Sequence, residues 1–153
     1  DMLSLLRLWQ AAPSSPQPPP NPAPIPLGTV PLNAKGPQPA GFLPYPAMVG
    51  VELAKAQLDR GAKMAFLDAR APTDYAQEHI AGAVSVPFYD PAPFFSALPK
   101  DAWLLCYCAC PHAESGMLAQ KLLANGFSKV TVLDEGFLVW KQKGYGVRAG
   151  RDP

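Results

Sequence analysis

Charged side chains are scarce in this sequence and nearly balanced in sign. Its 153 residues include 13 lysines and arginines, 12 aspartates and glutamates and only two histidines, which gives a formal net charge of +1. This balance provides no basic surface for nucleic acid, and it lacks the charge excess that keeps disordered chains unfolded. We therefore expect a globular protein whose partners do not include nucleic acid.

Long hydrophobic runs are also missing. A membrane-spanning helix needs about 20 consecutive apolar residues, and no stretch of the sequence approaches this length. The apolar residues 2–9 are too few to cross a bilayer; we interpret them as a small docking helix, and the alternatives are the remnant of a longer segment or an ordered tail. A short apolar start before a proline-rich segment favours the bacterial cell envelope or periplasm, with the cytoplasm as the alternative.

Cysteine occurs only three times, and all three residues lie within one pentapeptide, as Cys106, Cys108 and Cys110. They cannot form the dispersed disulfide framework of small secreted domains. Although His112 follows closely, the sequence has no second cluster of ligand residues, so we predict neither a metal nor another cofactor. Alternation along a strand places the three thiols on one face unless the chain turns before Cys110, and Pro111 predicts such a turn.

Proline is abundant but unevenly distributed, because 13 of the 20 prolines fall within residues 1–46. Residues 13–46 have hardly any charge and no apolar period, which is typical of an extended, partly polyproline arm or linker. We therefore predict a proline-rich N-terminal arm with a short apolar start over residues 1–46 and a folded domain over residues 47–150. The arm is interpreted as a spacer; the alternative is a ligand for a proline-binding protein partner.

From residue 47 onwards, short apolar runs alternate with segments of helical periodicity. Helices are predicted over residues 49–60, 71–79, 91–98, 116–125 and 137–143, and strands over residues 63–67, 83–87, 103–108 and 129–133. The expected buried stripe of the first helix consists of Val49, Leu53, Ala56 and Leu58. Because strands that alternate with helices form parallel crossover units, we expect an α/β sandwich whose mostly parallel central sheet has helices on both faces.

The strand over residues 103–108 is almost wholly apolar and is therefore predicted to lie at the centre of the sheet, with Cys106 as a small buried residue. A cysteine-containing loop follows the strand, and then a helix. In parallel sheets ligands bind beyond the carboxyl ends of the strands, where this loop lies. A thiol at a helix N-terminus faces backbone N–H groups that stabilise a thiolate, so we expect a lowered cysteine pKa and a thiol-based activity.

Four segments, in order along the chain, resemble the signatures of the rhodanese family. They are Leu67-Asp-Ala-Arg70 at the end of a strand, Glu78-His-Ile-Ala-Gly-Ala-Val-Ser-Val-Pro87, the strand, cysteine loop and helix of residues 103–125, and Gly126 to Trp140 with Lys143-Gly-Tyr-Gly146. The resemblance covers residues 46–148. It implies the rhodanese-like three-layer sandwich and a sulfurtransferase, in which a cysteine persulfide carries a sulfane sulfur from thiosulfate or a persulfide donor to cyanide or a thiol acceptor.

The resemblance leaves two candidates for the nucleophile. Cys108 follows an apolar strand and an aromatic residue, as the family's cysteine does, whereas the spacing to Gly126-Phe127 favours Cys110. Counted from Cys110 the loop has six residues, the length associated with sulfur transfer, and counted from Cys108 it has eight. We therefore predict Cys110 as the catalytic residue. Cys108 is either a small buried strand residue or a second, resolving thiol that forms a disulfide with Cys110. The predicted substrate-binding loop consists of Pro111, His112, Ala113, Glu114, Ser115 and Gly116.

The charge of this loop bears on the donor. Thiosulfate-using relatives carry an arginine or lysine in or just after the loop, but this loop has none, and Glu114 would repel an anion. A low-molecular-weight or protein persulfide suits such a loop better. The missing cation also keeps an alternative of another class open, a non-catalytic rhodanese module that senses redox state or binds a partner.

Polar residues elsewhere in the signatures are expected to support the structure. Asp68 and Arg70 take structural roles, with Arg70 pairing with Glu78 and tying the first two signatures together. We expect His79 to hydrogen-bond the backbone. We expect Trp140 to lie in the core, packed behind the last predicted helix (residues 137–143).

Overall fold

The structure is a computed structural model and describes residues 2–3 and 13–153. The strands are β1 (Met48–Val49), β2 (Met64–Asp68), β3 (His79–Ile80), β4 (Val84–Ser85), β5 (Trp103–Tyr107), β6 (Val130–Leu133) and β7 (Val147–Arg148). The helices are α1 (Val51–Asp59), α2 (Pro72–Gln77), α3 (Ala113–Ala124) and α4 (Gly136–Gln142), with a 3-10 helix at Ala92–Ala97. Most of the predicted docking helix at residues 2–9 lies outside the described residues.

Five of the strands form one parallel sheet in the order β1-β6-β5-β2-β4. The central position of β5 is confirmed, and Leu104, Leu105 and Cys106 within it are buried because both faces of the sheet are covered. One core cluster joins α1, α2 and α4 to one face, and a second joins α3 and the 3-10 helix to the other. The predicted three-layer α/β sandwich is therefore confirmed.

A second sheet, which the sequence did not predict, pairs β3 with β7 in antiparallel register. Each of its strands is two residues long. Alternation over two residues carries no periodic signal, so a helix was predicted to run through His79. The helix ends at Gln77 instead, and His79 begins β3.

Helix α1 buries a different face from the predicted one. Its buried residues are Val51, Ala54 and Gln57, whereas Leu53 is 39% exposed and Leu58 is 36% exposed. Gln57 is buried because its Oε1 accepts hydrogen bonds from the Ala40 N–H at 3.0 Å and from Arg60 Nη1 at 2.9 Å. The Ala40 N–H of the N-terminal arm thus provides the hydrogen bond that allows Gln57, rather than Leu53, to be buried.

Residues 22–46 of the arm lie against the domain. Ile25 and Phe42 are buried in the core cluster on the α1 face, and the Phe42 ring meets the Trp103 ring edge-on with a centroid distance of 5.7 Å. Backbone hydrogen bonds fix the arm further, because Lys63 N donates to Pro37 O at 2.8 Å and Tyr45 N donates to Val130 O at 2.7 Å. The predicted boundary at residue 46 therefore separates two segments that share one core.

Within the described part of the chain, every helix is too short or too polar to cross a membrane.

Candidate active site

The cysteine loop leaves the sheet at the carboxyl end of β5, where the sequence predicted a site. Cys108 is the first residue after the strand and is 1% exposed. Its Sγ lies 3.2 Å from Cys110 Sγ and 3.3 Å from Ser115 Oγ, and it donates to the Cys110 carbonyl oxygen at 3.1 Å. The chain bends over residues 109–112. The predicted turn at Pro111 thus brings two thiols into van der Waals contact.

Cys110 is half-buried and faces an open cavity of about 400 Å³. Asp134 and Glu135, which follow the neighbouring strand β6, line the same cavity together with Leu138 of α4. This arrangement follows from the topology, because the carboxyl ends of parallel strands meet at one edge of the sheet. The full lining is Ala109, Cys110, Pro111, His112, Asp134, Glu135, Leu138 and Val139.

The predicted binding loop divides into two parts. Cys110, Pro111 and His112 line the cavity, whereas residues 113–116 already form the first turn of α3, three residues earlier than predicted. Within that turn Ser115 and Gly116 are buried, and a Cβ on Gly116 would lie 2.9 Å from Tyr45 Oη of the arm. The sequence prediction missed this start because residues 113–115 carry no apolar period.

His112 holds the turn between the cysteines and α3. Its φ of 65° is the one positive value at a non-glycine residue in the described ranges, 2–3 and 13–153. Its Nε2 lies 2.9 Å from Asp134 Oδ1 and 2.5 Å from the Asp134 carbonyl oxygen. A left-handed conformation is costly for a residue with a Cβ and persists where surrounding contacts fix it, as Asp134 does here.

The pKa of Cys110 is raised rather than lowered, so that prediction is wrong. Burial is the largest cause, and the neighbouring Cys108 thiol and the Glu114 carboxylate also raise it. The backbone N–H of Glu114 acts in the opposite direction, as expected at a helix N-terminus. Other loop N–H groups are occupied, because His112 N donates to Cys110 O and Gly116 N donates to His112 O, both at 2.7 Å.

Glu114 is the acidic residue that contacts Cys110, whose Sγ lies 3.8 Å from Glu114 Oε1. Burial raises the pKa of Glu114; the Cys110 hydrogen bond lowers it, and Asp74 and Asp68 raise it further. The cavity lining contains no lysine or arginine, and His112 is paired with Asp134. The site therefore has acidic residues without a lysine or arginine among them, although Asp134 pairs with His112 and Glu135 Oε1 accepts the Val51 N–H at 2.9 Å.

Among the described residues, one group has the composition of a metal site. Cys108, Cys110 and Glu114 each offer a ligand atom, and these atoms lie within 4.8 Å of one another. Structural zinc sites use four protein ligands, so this group is one ligand short.

A buried network supports the site from β2. Asp68 accepts two hydrogen bonds from the Arg70 guanidinium, at 3.0 and 2.8 Å, and one from Tyr107 Oη at 2.9 Å. The predicted ion pair between Arg70 and Glu78 is wrong, because Arg70 pairs with Asp68 and donates to the Glu78 backbone carbonyl at 2.7 Å. The Glu78 carboxylate instead pairs with Lys141. The first two signatures are nevertheless tied together, through a carbonyl oxygen.

Three further sequence predictions are confirmed. His79 Nδ1 lies 2.8 Å from the Tyr75 carbonyl oxygen, and its ring stacks on the Tyr75 ring at a centroid distance of 3.7 Å. Trp140 is buried and donates through Nε1 to the Gly146 carbonyl oxygen at 2.9 Å. Cys106 is buried in β5, where burial raises its pKa.

Sequence reasoning did not single out Gly136, which lies beneath the cysteine loop. Its φ is +74°, and a Cβ at this position would lie 2.5 Å from the Cys108 carbonyl oxygen. That oxygen accepts a hydrogen bond from Phe137 N at 3.0 Å. The available signal was a glycine directly after the acidic pair that follows β6, a position where close backbone approach requires the absence of a side chain.

Comparison with known proteins agrees with this architecture. The family model of the rhodanese-like domain matches residues 51–143. The chain belongs to the rhodanese-like domain family. This rhodanese-like chain is 35% identical over 91 residues to the thiosulfate sulfurtransferase GlpE of Pseudomonas fluorescens, a match that covers 59% of this chain and 80% of that protein.

The chain is also similar to a transcriptional regulator and to a rhodanese-like domain of known structure. The HTH-type transcriptional regulator Rv0324 of Mycobacterium tuberculosis is 25% identical over 107 residues, which cover 70% of this chain and 46% of that protein. The solution structure of the rhodanese-like domain of the Alr3790 protein from Anabaena has a TM-score of 0.59 at 28% identity. That match covers 68% of this chain and 80% of the Anabaena chain.

Proposed function

We propose that this rhodanese-like protein is a sulfurtransferase in which Cys110 carries the transferred sulfur as a persulfide. The observation that supports this assignment is the difference in access between the two site thiols. Cys110 faces the cavity, whereas Cys108 is 1% exposed. A donor molecule arriving from solvent therefore meets Cys110 first. The similarity to proteins named thiosulfate sulfurtransferases supports the same class of reaction.

In the proposed reaction, the Cys110 thiolate attacks the sulfane sulfur of a donor. The bond between that sulfur and the rest of the donor breaks, and the donor leaves with the bonding electron pair. Cys110 becomes a persulfide, and the backbone N–H of Glu114 stabilises negative charge on its sulfur. Cyanide or an acceptor thiolate then attacks the outer sulfur and releases the Cys110 thiolate.

We propose a persulfide donor in preference to thiosulfate. The cavity lining lacks a lysine or arginine and includes Asp134 and Glu135, while the Glu114 carboxylate lies beside Cys110 Sγ. A doubly charged anion loses hydration on entering such a site and gains no ion pair in return. A small alkyl persulfide carries at most one negative charge, and its alkyl group suits a lining that includes Leu138 and Val139.

The test is intact mass after incubation with thiosulfate and, separately, with a small alkyl persulfide. We expect wild type to gain one sulfur atom from the persulfide, faster than from thiosulfate, and to lose it to cyanide. Cys110→Ser should gain none, whereas Cys108→Ser should still gain it. A sulfur that survives Cys110→Ser but not Cys108→Ser would contradict the assignment and move the nucleophile to Cys108.

A second candidate function is a non-catalytic module for redox sensing or partner binding. The raised pKa of Cys110 and the acidic cavity favour it, since both slow thiolate attack on an anionic donor. A transcriptional regulator is also among the relatives. No sulfur gain from either donor, with the fold intact by circular dichroism, would favour this function over the enzyme.

A further inference from the structure

We propose that Cys108 is a resolving thiol, which attacks the Cys110 persulfide, expels hydrosulfide and closes a Cys108–Cys110 disulfide. The inference rests on the proposed function, because it starts from sulfur carried on Cys110. It assigns the protein a further activity: in the absence of an acceptor it converts a bound sulfane sulfur into hydrogen sulfide and becomes oxidised itself.

The positions of the two sulfurs support an internal reaction. Their separation of 3.2 Å shortens to about 2.0 Å when a disulfide forms. The carbonyl of Cys108 accepts a hydrogen bond from Phe137 N, and it packs so closely on Gly136 that a Cβ there would lie 2.5 Å from its oxygen. The bend over residues 109–112 therefore supplies the remaining movement, and it does so on the Cys110 side.

Burial determines which partners Cys108 can have. Its side chain is enclosed by Cys110 and by Ser115 of α3, and it is 1% exposed. An external acceptor must approach through the cavity, which Cys108 does not line. Cys108 thus reacts with the inner sulfur of the Cys110 persulfide, while acceptors from solvent react with the outer sulfur. The two outcomes compete for one intermediate.

The step balances without an external oxidant. The Cys110 persulfide and the Cys108 thiol give the Cys108–Cys110 disulfide and hydrogen sulfide, because the bond between the inner and outer sulfurs breaks as the new S–S bond forms. The outer sulfur leaves with the bonding electron pair and takes up the proton of the Cys108 thiol. Ser115 Oγ, 3.3 Å from Cys108 Sγ, is placed to hold that proton during the transfer. A dithiol reductant restores both cysteines.

The experiment follows a loaded protein after the donor has been removed. Wild type, Cys108→Ser and Cys108→Ala are incubated with a small alkyl persulfide, freed of excess donor by gel filtration and kept without acceptor, while intact mass and released sulfide are measured. Cys106→Ala is the matched control, because it removes a neighbouring thiol that lies in the strand core rather than in the site.

We expect wild type and Cys106→Ala to lose the added sulfur, release one equivalent of sulfide and end two hydrogens lighter than the reduced protein. Both Cys108 variants should keep the added sulfur over the same period. Loss of sulfur at the same rate in all four proteins, or a wild type that stays loaded, would overturn the inference. Failure of the proposed function looks different, since then Cys108→Ser acquires no sulfur at all.

Discussion

Burial and Cys108 raise the pKa of Cys110 most, and Glu114 is the acidic side chain that adds to them. Its carboxylate lies 3.8 Å from the sulfur and raises the pKa of the thiol, and in the same position it repels anionic donors. Because the pKa of Cys110 is raised, less thiolate is present at neutral pH than for an ordinary cysteine. Sulfur loading by any donor should accordingly become faster as the pH rises through the alkaline range.

The variant Glu114→Gln should lower the pKa of Cys110 and increase its thiolate fraction at neutral pH by about twofold, because a like charge is removed while the backbone N–H remains, and burial and Cys108 still raise the pKa. Thiosulfate should benefit more than a persulfide donor. The measurement is the pH dependence of Cys110 alkylation, located by peptide mass, together with loading rates for both donors. Glu52→Gln, an exposed carboxylate paired with Lys143, is the control, and equal profiles for the two variants would refute this role.

A side chain at Gly136 should destabilise the protein more than one at another glycine with positive φ. Gly136→Ala combines an unfavourable φ with a Cβ 2.5 Å from the Cys108 carbonyl oxygen, whereas Gly144→Ala has a similar φ of 76° and open space. We expect Gly144→Ala to cost about 1 kcal/mol and Gly136→Ala about 3 kcal/mol or more in the free energy of unfolding. Urea denaturation of both variants measures the difference. Equal losses of unfolding free energy would mean that the cysteine loop shifts to accommodate the added Cβ at little cost.

At the scale of elements, a polar network fastens three segments beneath the site. Asp68, at the end of β2, accepts hydrogen bonds from the side chains of Arg70 and Tyr107. Tyr107 Oη in turn accepts a hydrogen bond from the Ile80 N–H at 3.1 Å. The same arginine lies over the Phe137 ring of α4, with its guanidinium carbon 4.4 Å from the ring centroid. Burial raises the pKa of Tyr107, so it remains a neutral donor.

Removing one partner of this buried ion pair should be strongly destabilising. Asp68→Asn leaves the Arg70 charge uncompensated, and we expect a loss of about 3–5 kcal/mol in the free energy of unfolding. Asp59→Asn, in the exposed pair with Lys55, should cost at most about 1 kcal/mol. Thermal or urea unfolding provides both values. Comparable losses of unfolding free energy in the two variants would show that the Asp68 hydrogen bonds position these segments without stabilising the fold.

The elements themselves were largely predictable. The strands of the main sheet from β2 onwards, and every helix except α3, begin and end within about two residues of the predicted limits, because their apolar periods are strong; α3 begins three residues early. The two-residue strands β1, β3 and β7 were missed because they carry no period. At the site, the position of Cys110 at the sheet edge followed from topology. Its raised pKa did not, because sequence order does not reveal that Cys108 and Glu114 flank the same sulfur.

At the scale of the whole molecule, the arm completes the core. Ile25 and Phe42 fill the α1 face, while Leu27, Val30 and Leu32 pack against the α3 face. These apolar residues are isolated among prolines and have no common period, so the sequence suggested only an extended segment. Long-range packing of this kind depends on the surface that the domain presents, and local sequence does not encode it.

Phe42→Ala tests this contribution. The ring is buried against Trp103, so its removal should cost about 3 kcal/mol in the free energy of unfolding and shift the tryptophan emission as water reaches the indole. The neighbouring Leu43 is 65% exposed, and Leu43→Ala should change stability by less than about 0.5 kcal/mol. If both variants unfold at the wild-type denaturant concentration, the arm does not contribute to the core.

The unequal exposure of the two site thiols also has a directional consequence for repair. A reductant, like any bulky thiol, can approach only the sulfur that borders the cavity, so a mixed disulfide with it forms on Cys110 and leaves Cys108 as the departing thiol. Thiol–disulfide exchange at this site therefore has a fixed order. External thiols react with Cys110, and Cys108 exchanges only with Cys110.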